Sequence, residues 1–206
     1  MARRRESKVW EYTKAIVTAF LLAIVIRTFV VQAFKIPSGS MLDTLLIGDH
    51  ILVNKFMYGT PVDIPFTSIN LFRMPGFSKP ERGDIVVFKY PEDPTRDFIK
   101  RVIGTEGDVI EERNKIVYVN GKALHEPYIK HVDPTNGIAM RDNFGPYIVP
   151  RGKCFVMGDN RDQSYDSRFW GYVDLTEVRG KAFVIYWSWD NERFSPRFGR
   201  IGNIIR

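Results

Sequence analysis

The most apolar segment of the chain lies near its N-terminus. Residues 15–26 carry no charge, and residues 9–34 form a mainly apolar stretch that would be roughly 39 Å long as a helix. That length can cross a hydrocarbon slab of about 30 Å. The side chains of Lys14 and Arg27 can lie along apolar surface while their charges reach opposite interfaces. The pattern predicts a transmembrane anchor over residues 9–33, behind a basic tail over residues 1–8.

Two other interpretations of this segment stay open. A secretory signal peptide also has a basic start, a short apolar stretch and a small-residue cleavage site, for which Val31-Gln32-Ala33 would serve. A buried helix of a soluble domain is the second, but here apolar residues cover all faces of the helix instead of one stripe. If the segment is an anchor, the positive charge before it places the rest of the chain outside the cytoplasm.

Two segments in the middle of the chain have the composition of β-strands. Residues 84–90 (DIVVFKY) and 97–103 (DFIKRVI) are rich in β-branched and aromatic residues. Strand alternation puts Phe98, Lys100 and Val102 on one face. A lysine among apolar side chains loses hydration, which lowers its pKa and lets its neutral amine act as a base. The alternative is a lysine at the rim of a sheet with its amine in water.

A β meander follows these strands. Residues 106–124 predict paired strands with tight turns at Arg113-Asn114 and Asn120-Gly121, and the next stretch is rich in proline and glycine. The predicted domains are a core made of residues 34–107 and 151–206, and a small β subdomain made of residues 108–150.

Charge and cysteine content exclude several classes of protein. The net formal charge is +6 at pH 7, and residues 1–8 supply +3 of it, from four basic residues and one acidic residue. The remainder is only mildly basic, which argues against a nucleic-acid-binding face. One cysteine, Cys154, excludes an internal disulfide and predicts a buried free thiol. His50, His125 and His131 lack neighbouring ligands, so no metal site is predicted.

Residues 34–55, FKIPSGSMLDTLLIGDHILVNK, hold the candidate nucleophile. Ser38 and Ser40 flank Gly39, and in an extended backbone their hydroxyls would point to the same side. Pro37 restricts the backbone just before them, and Gly39 lets another backbone come close. The arrangement indicates a positioned serine. A polar loop with two turn serines is the alternative.

A dense polar run, GDNRDQSYDSRFWG, occupies residues 158–171. Its acidic and basic side chains are expected to pair locally and to fix the loop: Asp159, Asp162 and Asp166 with Arg161 and Arg168. Calcium is the alternative partner of the aspartates. The glycine at position six and the glutamate at position twelve of an EF-hand loop are missing, however, so we predict no metal here.

Three blocks in this order resemble the type I signal peptidases, membrane-anchored leader peptidases with a serine-lysine dyad. The matching blocks are residues 34–58, with IPSGSM and TLLIGDHILVNK, residues 82–108, with RGDIVVFKYPEDP and FIKRVIG, and residues 157–171. The resemblance implies that Ser40 is the nucleophile and Lys100 the general base.

The same resemblance implies roles for the residues around the dyad. The hydroxyl of Ser38 and the backbone N–H of Ser40 would form the oxyanion hole, and Ser164 would hydrogen-bond the lysine. The residues that match the supporting loop are Asp159 at its start and the salt-bridge pair Asp166 and Arg168. The residues that match the family's pockets for small substrate side chains are Phe34, Ile36, Pro37, Met41, Ile51, Val87, Phe98 and Ile99.

The implied fold is mostly β, with two antiparallel β-sheet regions on an N-terminal transmembrane helix. The implied activity is that of a serine endopeptidase, which removes signal peptides from exported preproteins by cutting after small residues at positions −3 and −1. The implied partners are signal peptides and the lipid bilayer, not nucleic acid, and no cofactor is expected.

The implied location is the bacterial cytoplasmic (inner) membrane, crossed once, with the catalytic domain on the outer (periplasmic or extracellular) side. The family usually has proline where Asp43 stands and Leu-Pro where Thr105-Glu106 stand. These differences bear on loop rigidity, because neither position is catalytic in the family.

Two other functions fit parts of the sequence. A serine-lysine self-cleaving protease would share the dyad, but repressors of that kind need a DNA-binding head where residues 1–34 stand. A membrane-tethered, non-enzymatic β-rich binding module would explain the anchor and the strands. It would not explain why Ser38, Ser40, Lys100 and Ser164 all match the motif.

Overall fold

The computed structural model of the protein describes residues 8–59, 61–63, 70–73, 75–135 and 137–206. Residues 1–7 of the predicted basic tail therefore lie outside the described residues. Within the described ranges the helices are α1 (Lys8–Phe29) and α2 (Ser167–Trp170), and the strands are β1 (Val31–Lys35), β2 (Asp49–Asn54), β3 (Pro61–Asp63), β4 (Asn70–Arg73), β5 (Ile85–Tyr90), β6 (Asp93–Gly104), β7 (Val109–Arg113), β8 (Ile116–Val119), β9 (Lys122–Ala123), β10 (Phe144–Ile148), β11 (Lys153–Met157), β12 (Val173–Asp174), β13 (Val178–Asp190) and β14 (Ser195–Pro196).

The N-terminal helix is long and apolar enough to cross a membrane. Its segment Lys8–Arg27 has a mean hydropathy of 1.7, and none of that segment is buried against the rest of the protein. The predicted anchor over residues 9–33 is too long at its C-terminal end, because α1 ends at Phe29. The next residues, Val31–Lys35, pair with β2 as an antiparallel strand, and their β-branched and aromatic side chains suit that conformation.

The main sheet is antiparallel and carries strands from both ends of the chain, in the order β1-β2-β13-β5-β6-β11-β12, with β14 paired to β13. The two strands predicted at residues 84–90 and 97–103 are its neighbours β5 and β6, and β6 begins earlier than expected, at Asp93. Buried side chains from β2, β5, β6 and β13 form one core on the sheet, which includes Ile51, Val87 and Ile185. Cys154 is buried with Val86 and Val102 in a second core, as the sequence predicts.

The second antiparallel sheet has the order β10-β7-β8-β9. The turn predicted at Asn120-Gly121 is present, and both residues have the positive φ of 52° and 76° that a tight hairpin needs. The preceding turn lies one residue later than predicted, at Asn114-Lys115, with φ of 50° and 66°. The prediction of a mostly β fold with two antiparallel sheets and an N-terminal helix is confirmed.

The two sheets share a hydrophobic core. Ile103, Phe155 and Met157 of the main sheet pack with a group from the second sheet and its flanks that includes Ile110, Val117 and Phe144. Residues 108–150 therefore do not stand apart from the main sheet. Across this packing, Glu112 Oε2 of β7 lies 3.8 Å from Arg168 Nη1 in the polar run of residues 158–171.

Candidate active site

Ser40 and Lys100 are hydrogen-bonded to each other. After β1 the chain bends at Ser38 and enters a turn at Ser40, while β6 carries Lys100 in the main sheet, paired with Val86. The Lys100 Nζ atom lies 2.6 Å from the Ser40 Oγ atom. A hydroxyl and an amine at this distance can exchange a proton directly.

Lys100 is buried, with only 4% of its surface exposed, so it does not sit at a wet rim of the sheet. Burial lowers the pKa of Lys100 to about 8, against which the carboxylates of Asp166 and Asp159 raise it and the Arg168 guanidinium lowers it further. Its amine also lies 5.5 Å from the centre of the Phe98 ring. A substantial fraction of the amine is thus neutral at mildly alkaline pH, as a general base requires.

The segment that bears the two serines is held by backbone and charged contacts. It is not extended at Ser38 and Ser40, so the expectation from strand alternation is wrong there. The chain instead closes a loop, in which Ile36 N–H donates to the Asp49 carbonyl at 2.8 Å and Gly48 N–H donates to the Ile36 carbonyl at 3.1 Å. Closing this loop places Ser38 and Ser40 in the lining of one pocket.

Arg200 fixes the far end of that loop. Its guanidinium donates to the Thr44 carbonyl at 2.9 Å and to the buried Asp49 carboxylate at 2.6 Å. Asp49 also accepts from the Ser188 hydroxyl at 2.6 Å. The C-terminal part of the chain thereby braces the turn that presents Ser40.

Two buried arginine-carboxylate pairs lie beside the dyad. Arg168 donates two hydrogen bonds of 2.9 Å to Asp166, and Asp166 accepts from Gly158 N–H at 3.1 Å. Burial would raise the pKa of Asp166, but the Arg168 charge lowers it below its ordinary value. Asp159 is held by Arg101 through bonds of 2.8 and 2.7 Å.

The prediction that the loop's charges pair with one another is wrong for three of the five residues. Asp159 pairs with Arg101 of β6, Asp162 with Lys115 and His131, and Arg161 with Glu126. Only Asp166 and Arg168 pair within the loop. The described part of the chain contains no group of three or more histidine, cysteine, aspartate or glutamate side chains placed to bind a metal ion.

Gly158 and Asn160 contact the site, although the sequence pattern assigns neither residue a role. A Cβ atom on Gly158 would lie 2.3 Å from Ser164 Oγ and 2.4 Å from the Ser40 carbonyl oxygen. Asn160 donates from its backbone N–H to the Ser40 carbonyl at 3.1 Å and from its side chain to the Gly39 carbonyl at 3.0 Å. The glycine and amide that flank Asp159 in the run GDN are the sequence signal for this close approach.

Ser164 lies in the site but its predicted bond to the lysine is not formed. Its hydroxyl is buried and lies close enough to the Asp166 carboxylate to lower the pKa of that group, but no hydrogen bond from it to Lys100 is present among the described residues. The close approach of Ser164 to Gly158 places this hydroxyl near the backbone of Ser40. Its role toward Lys100 stays a prediction.

A pocket of about 450 Å³ opens over the dyad. Ser38, Ser40 and Lys100 line it together with Pro37, Phe98 and Ile99 and with a polar side formed by Arg96, Asp97, Gln163 and Tyr165. Of the predicted substrate-binding residues, Pro37, Phe98 and Ile99 thus face the pocket. The others lie in the core beneath it: Ile36, Met41, Ile51 and Val87 are buried, and Phe34 packs against them.

The family model described as signal peptidase, peptidase S26, matches residues 9–187. The chain belongs to this family. A signal peptidase I of Pseudomonas fluorescens is 36% identical over 97% of this chain and 81% of its own length. A probable signal peptidase I-2 of a Synechocystis strain is 40% identical over 90% of this chain and 78% of its own length.

A crystal structure of a signal peptidase I from Enterococcus faecalis V583 is also similar. It is 32% identical, covers 50% of this chain and 97% of that chain, and superposes with a TM-score of 0.42. By family, the protein is a serine endopeptidase of the signal peptidase I type.

Proposed function

We propose that the protein removes signal peptides from exported preproteins, with Ser40 as nucleophile and Lys100 as general base. The observation that carries the proposal is the 2.6 Å contact between Ser40 Oγ and a buried lysine amine. A serine hydroxyl is a weak nucleophile unless a neighbouring base takes its proton. No histidine is needed, because burial already brings the pKa of Lys100 to about 8.

The reaction proceeds through an acyl-enzyme. Neutral Lys100 Nζ accepts the proton of Ser40 Oγ as the oxygen attacks the scissile carbonyl carbon. The Ser38 hydroxyl and the Ser40 N–H donate to the oxyanion that forms. As the scissile C–N bond breaks, the Lys100 ammonium returns its proton to the leaving amine. Water then attacks the ester, with Lys100 as base again, and Ser40 Oγ regains its proton.

The surrounding residues position this pair. The Asp166–Arg168 and Asp159–Arg101 pairs place two carboxylates near the amine, each neutralised by an arginine. The carboxylates therefore raise the pKa of Lys100 only in part, and the amine can still lose its proton. Ser164 is proposed to orient the amine once substrate excludes water. Small side chains at positions −3 and −1 of the substrate would enter the pocket over Pro37, Phe98 and Ile99 and the apolar residues beneath them.

The bilayer is the second proposed partner. We infer that α1 crosses the bacterial cytoplasmic membrane once and leaves the catalytic core, residues 34–107 and 151–206 with the small sheet of residues 108–150, on the outer side. The support is that α1 is exposed and apolar and that β1 follows it directly. Ser40 follows the C-terminal end of α1 by eleven residues, which keeps it near the bilayer surface, where the cleavage site of an exported preprotein emerges.

The test is cleavage of a preprotein with alanine at positions −3 and −1 by the full-length chain in detergent micelles. Lys100→Arg should lose about 100-fold to 10,000-fold in turnover, since a guanidinium cannot serve as the base. Ser40→Ala should lose at least as much, because it removes the atom that forms the acyl-enzyme. Lys89→Arg, on neighbouring β5 and paired with Glu177, is the matched control and should keep full activity. Near-normal turnover by Lys100→Arg would contradict the mechanism.

The same experiment separates the alternatives. A non-enzymatic binding module would bind the preprotein without cutting it, in the wild type and in all three variants. A self-cleaving protease would produce fragments of its own chain in a Ser40-dependent way and leave the preprotein intact.

A further inference from the structure

Glu112 is a buried carboxylate that the reaction scheme does not use. It lies in β7 of the second sheet, where it pairs with Val117 of β8 and Phe144 of β10. Its side chain has no exposed surface. Neither carboxylate oxygen has a hydrogen-bond partner within the described part of the chain. A buried carboxylate without hydrogen bonds destabilises the folded protein, which suggests that Glu112 has a functional role.

A group of opposite charge, the guanidinium of Arg168 beside the dyad, lies close to Glu112. Glu112 Oε2 lies 3.8 Å from Arg168 Nη1, just beyond hydrogen-bond distance. Arg168 is already committed elsewhere: it holds Asp166 with two bonds, and it donates to the Arg141 carbonyl at 2.8 Å and the Arg161 carbonyl at 2.6 Å. Glu112 is therefore placed to compete with Asp166 for the same guanidinium.

The charge balance around Glu112 depends on its own proton. The charged groups that face it are the guanidinium groups of Arg168 and Arg161 and the carboxylates of Asp166 and Glu126. These two positive and two negative charges cancel while Glu112 is neutral. An ionised Glu112 adds a third carboxylate to a buried site, where an uncompensated charge is expensive.

We propose that Glu112 is a positioning residue of the signal peptidase reaction, which acts on Lys100 through Arg168 and Asp166 and does so according to its state of protonation. When Glu112 is neutral, Arg168 compensates Asp166 fully. When Glu112 is ionised, it draws on the same guanidinium, and Asp166 is left with more uncompensated negative charge. Because Asp166 favours the ammonium form of Lys100, ionised Glu112 lowers the fraction of lysine amine that is neutral, and able to accept a proton, at a given pH.

The pKa values of Glu112 and Lys100 support this coupling. Burial raises the pKa of Glu112 to about 7, although Arg168 and Arg161 lower it, and Asp166 and Glu126 add to the rise. The pKa of Lys100 is about 8. The two groups therefore titrate close together, and the acidic limb of the rate profile contains both ionisations.

The inference rests on the proposed preprotein cleavage and is tested with the pH dependence of kcat/KM in the full-length protein. Glu112→Gln keeps the shape of the side chain and removes its charge. We expect the acidic limb of this variant to move to lower pH by about half a unit, a shift that is common when charged groups in one network are coupled. The limb should also fit a single ionisation. Glu112→Asp keeps the charge and should retain the wild-type form of the limb.

Glu111→Gln is the matched control, because Glu111 is the preceding residue of β7 and pairs with the exposed Arg113. Its limb should coincide with that of the wild type. Thermal unfolding of each variant is followed in parallel, because a purely structural role would change the melting temperature and scale the activity without moving the limb.

Three outcomes would overturn the inference while leaving the proposed function intact: an unmoved limb in Glu112→Gln, an equal shift in Glu111→Gln, or a Glu112→Asp variant that behaves like Glu112→Gln. Failure of the wild type to cleave preprotein at all would instead contradict the proposed function.

Discussion

Burial of the Lys100 amine has opposite effects on activity and on stability. The lysine keeps a pKa of about 8, against an ordinary value of 10.5. Between these two pH values the folded chain has lost a proton that the unfolded chain still holds, so stability rises with pH there. Below about pH 8 the folded state instead carries a poorly hydrated ammonium group.

Lys100→Met should therefore be inactive and yet more stable than the wild type at pH 7. The gain in melting temperature should shrink as the pH rises from about 8 to 10.5, because the wild-type amine is neutral in the folded state there. Calorimetry of both proteins at several pH values gives the answer. A methionine variant that is less stable at pH 7 would show that the contact with Ser40 outweighs the cost of burial.

At Gly158 the site has no room for a side chain. A methyl group would lie within 2.4 Å of the Ser40 carbonyl oxygen and still closer to Ser164 Oγ. Gly158→Ala should displace Ser40 and lose about 100-fold in turnover, since a misplacement of about 1 Å has effects of that size. Gly199→Ala is the matched control, because nothing lies within 4 Å of the added atom. Wild-type kinetics for Gly158→Ala would contradict the close approach.

At the level of the element, α1 and β1 are joined almost without a linker. Val30 lies between them, and its carbonyl accepts from Lys55 N–H at 3.0 Å. Cleavage after Ala33, as a secretory signal would require, would cut inside β1 and remove three of the five residues that pair with β2. The junction therefore favours a retained anchor over a cleaved signal.

Membranes from cells that express the full chain should accordingly retain it through a high-salt wash, because a membrane-spanning helix is held by apolar contact with lipid and not by charge. Intact-mass measurement of the extracted protein should find α1 still attached. A mature N-terminus at Phe34 would contradict the anchor. Release by salt alone would do so as well.

At the level of the whole molecule, the shared core predicts that the two sheets unfold together. Ile110 of the second sheet is fully buried against residues of the main sheet. Truncation of the Ile110 side chain should therefore destabilise both sheets.

Ile110→Ala should lower the free energy of unfolding by roughly 2–5 kcal/mol, the usual range for a buried isoleucine. The main sheet contains or borders three tryptophans, Trp170, Trp187 and Trp189. Their fluorescence in a urea titration therefore reports the unfolding of the main sheet. A single transition that moves to lower urea is the expected result. An unchanged tryptophan transition, with loss of structure only in residues 108–150, would mean that the second sheet unfolds by itself.

The sequence by itself determined the features that depend on near neighbours. Apolar residues on all faces of residues 15–26 require apolar surroundings on every side of the helix, alternation in residues 97–103 puts Lys100 between apolar side chains, and Asn120-Gly121 adopts the positive φ values of a hairpin. The motif around Ser38 and Ser40 also indicates the chemistry without any tertiary distance. Each of these signals lies within a few residues of sequence, where backbone sterics and side-chain periodicity act.

Only the tertiary structure decided which distant groups meet. The dyad joins residues 60 apart in sequence, and Asp159 takes Arg101 of β6 as its partner instead of a neighbour in its own loop. Such choices depend on strand register and on how the two sheets pack, which local periodicity does not contain. The environments of Gly158 and Glu112 are set in the same way, because burial and charge at a point are sums over every element that surrounds it.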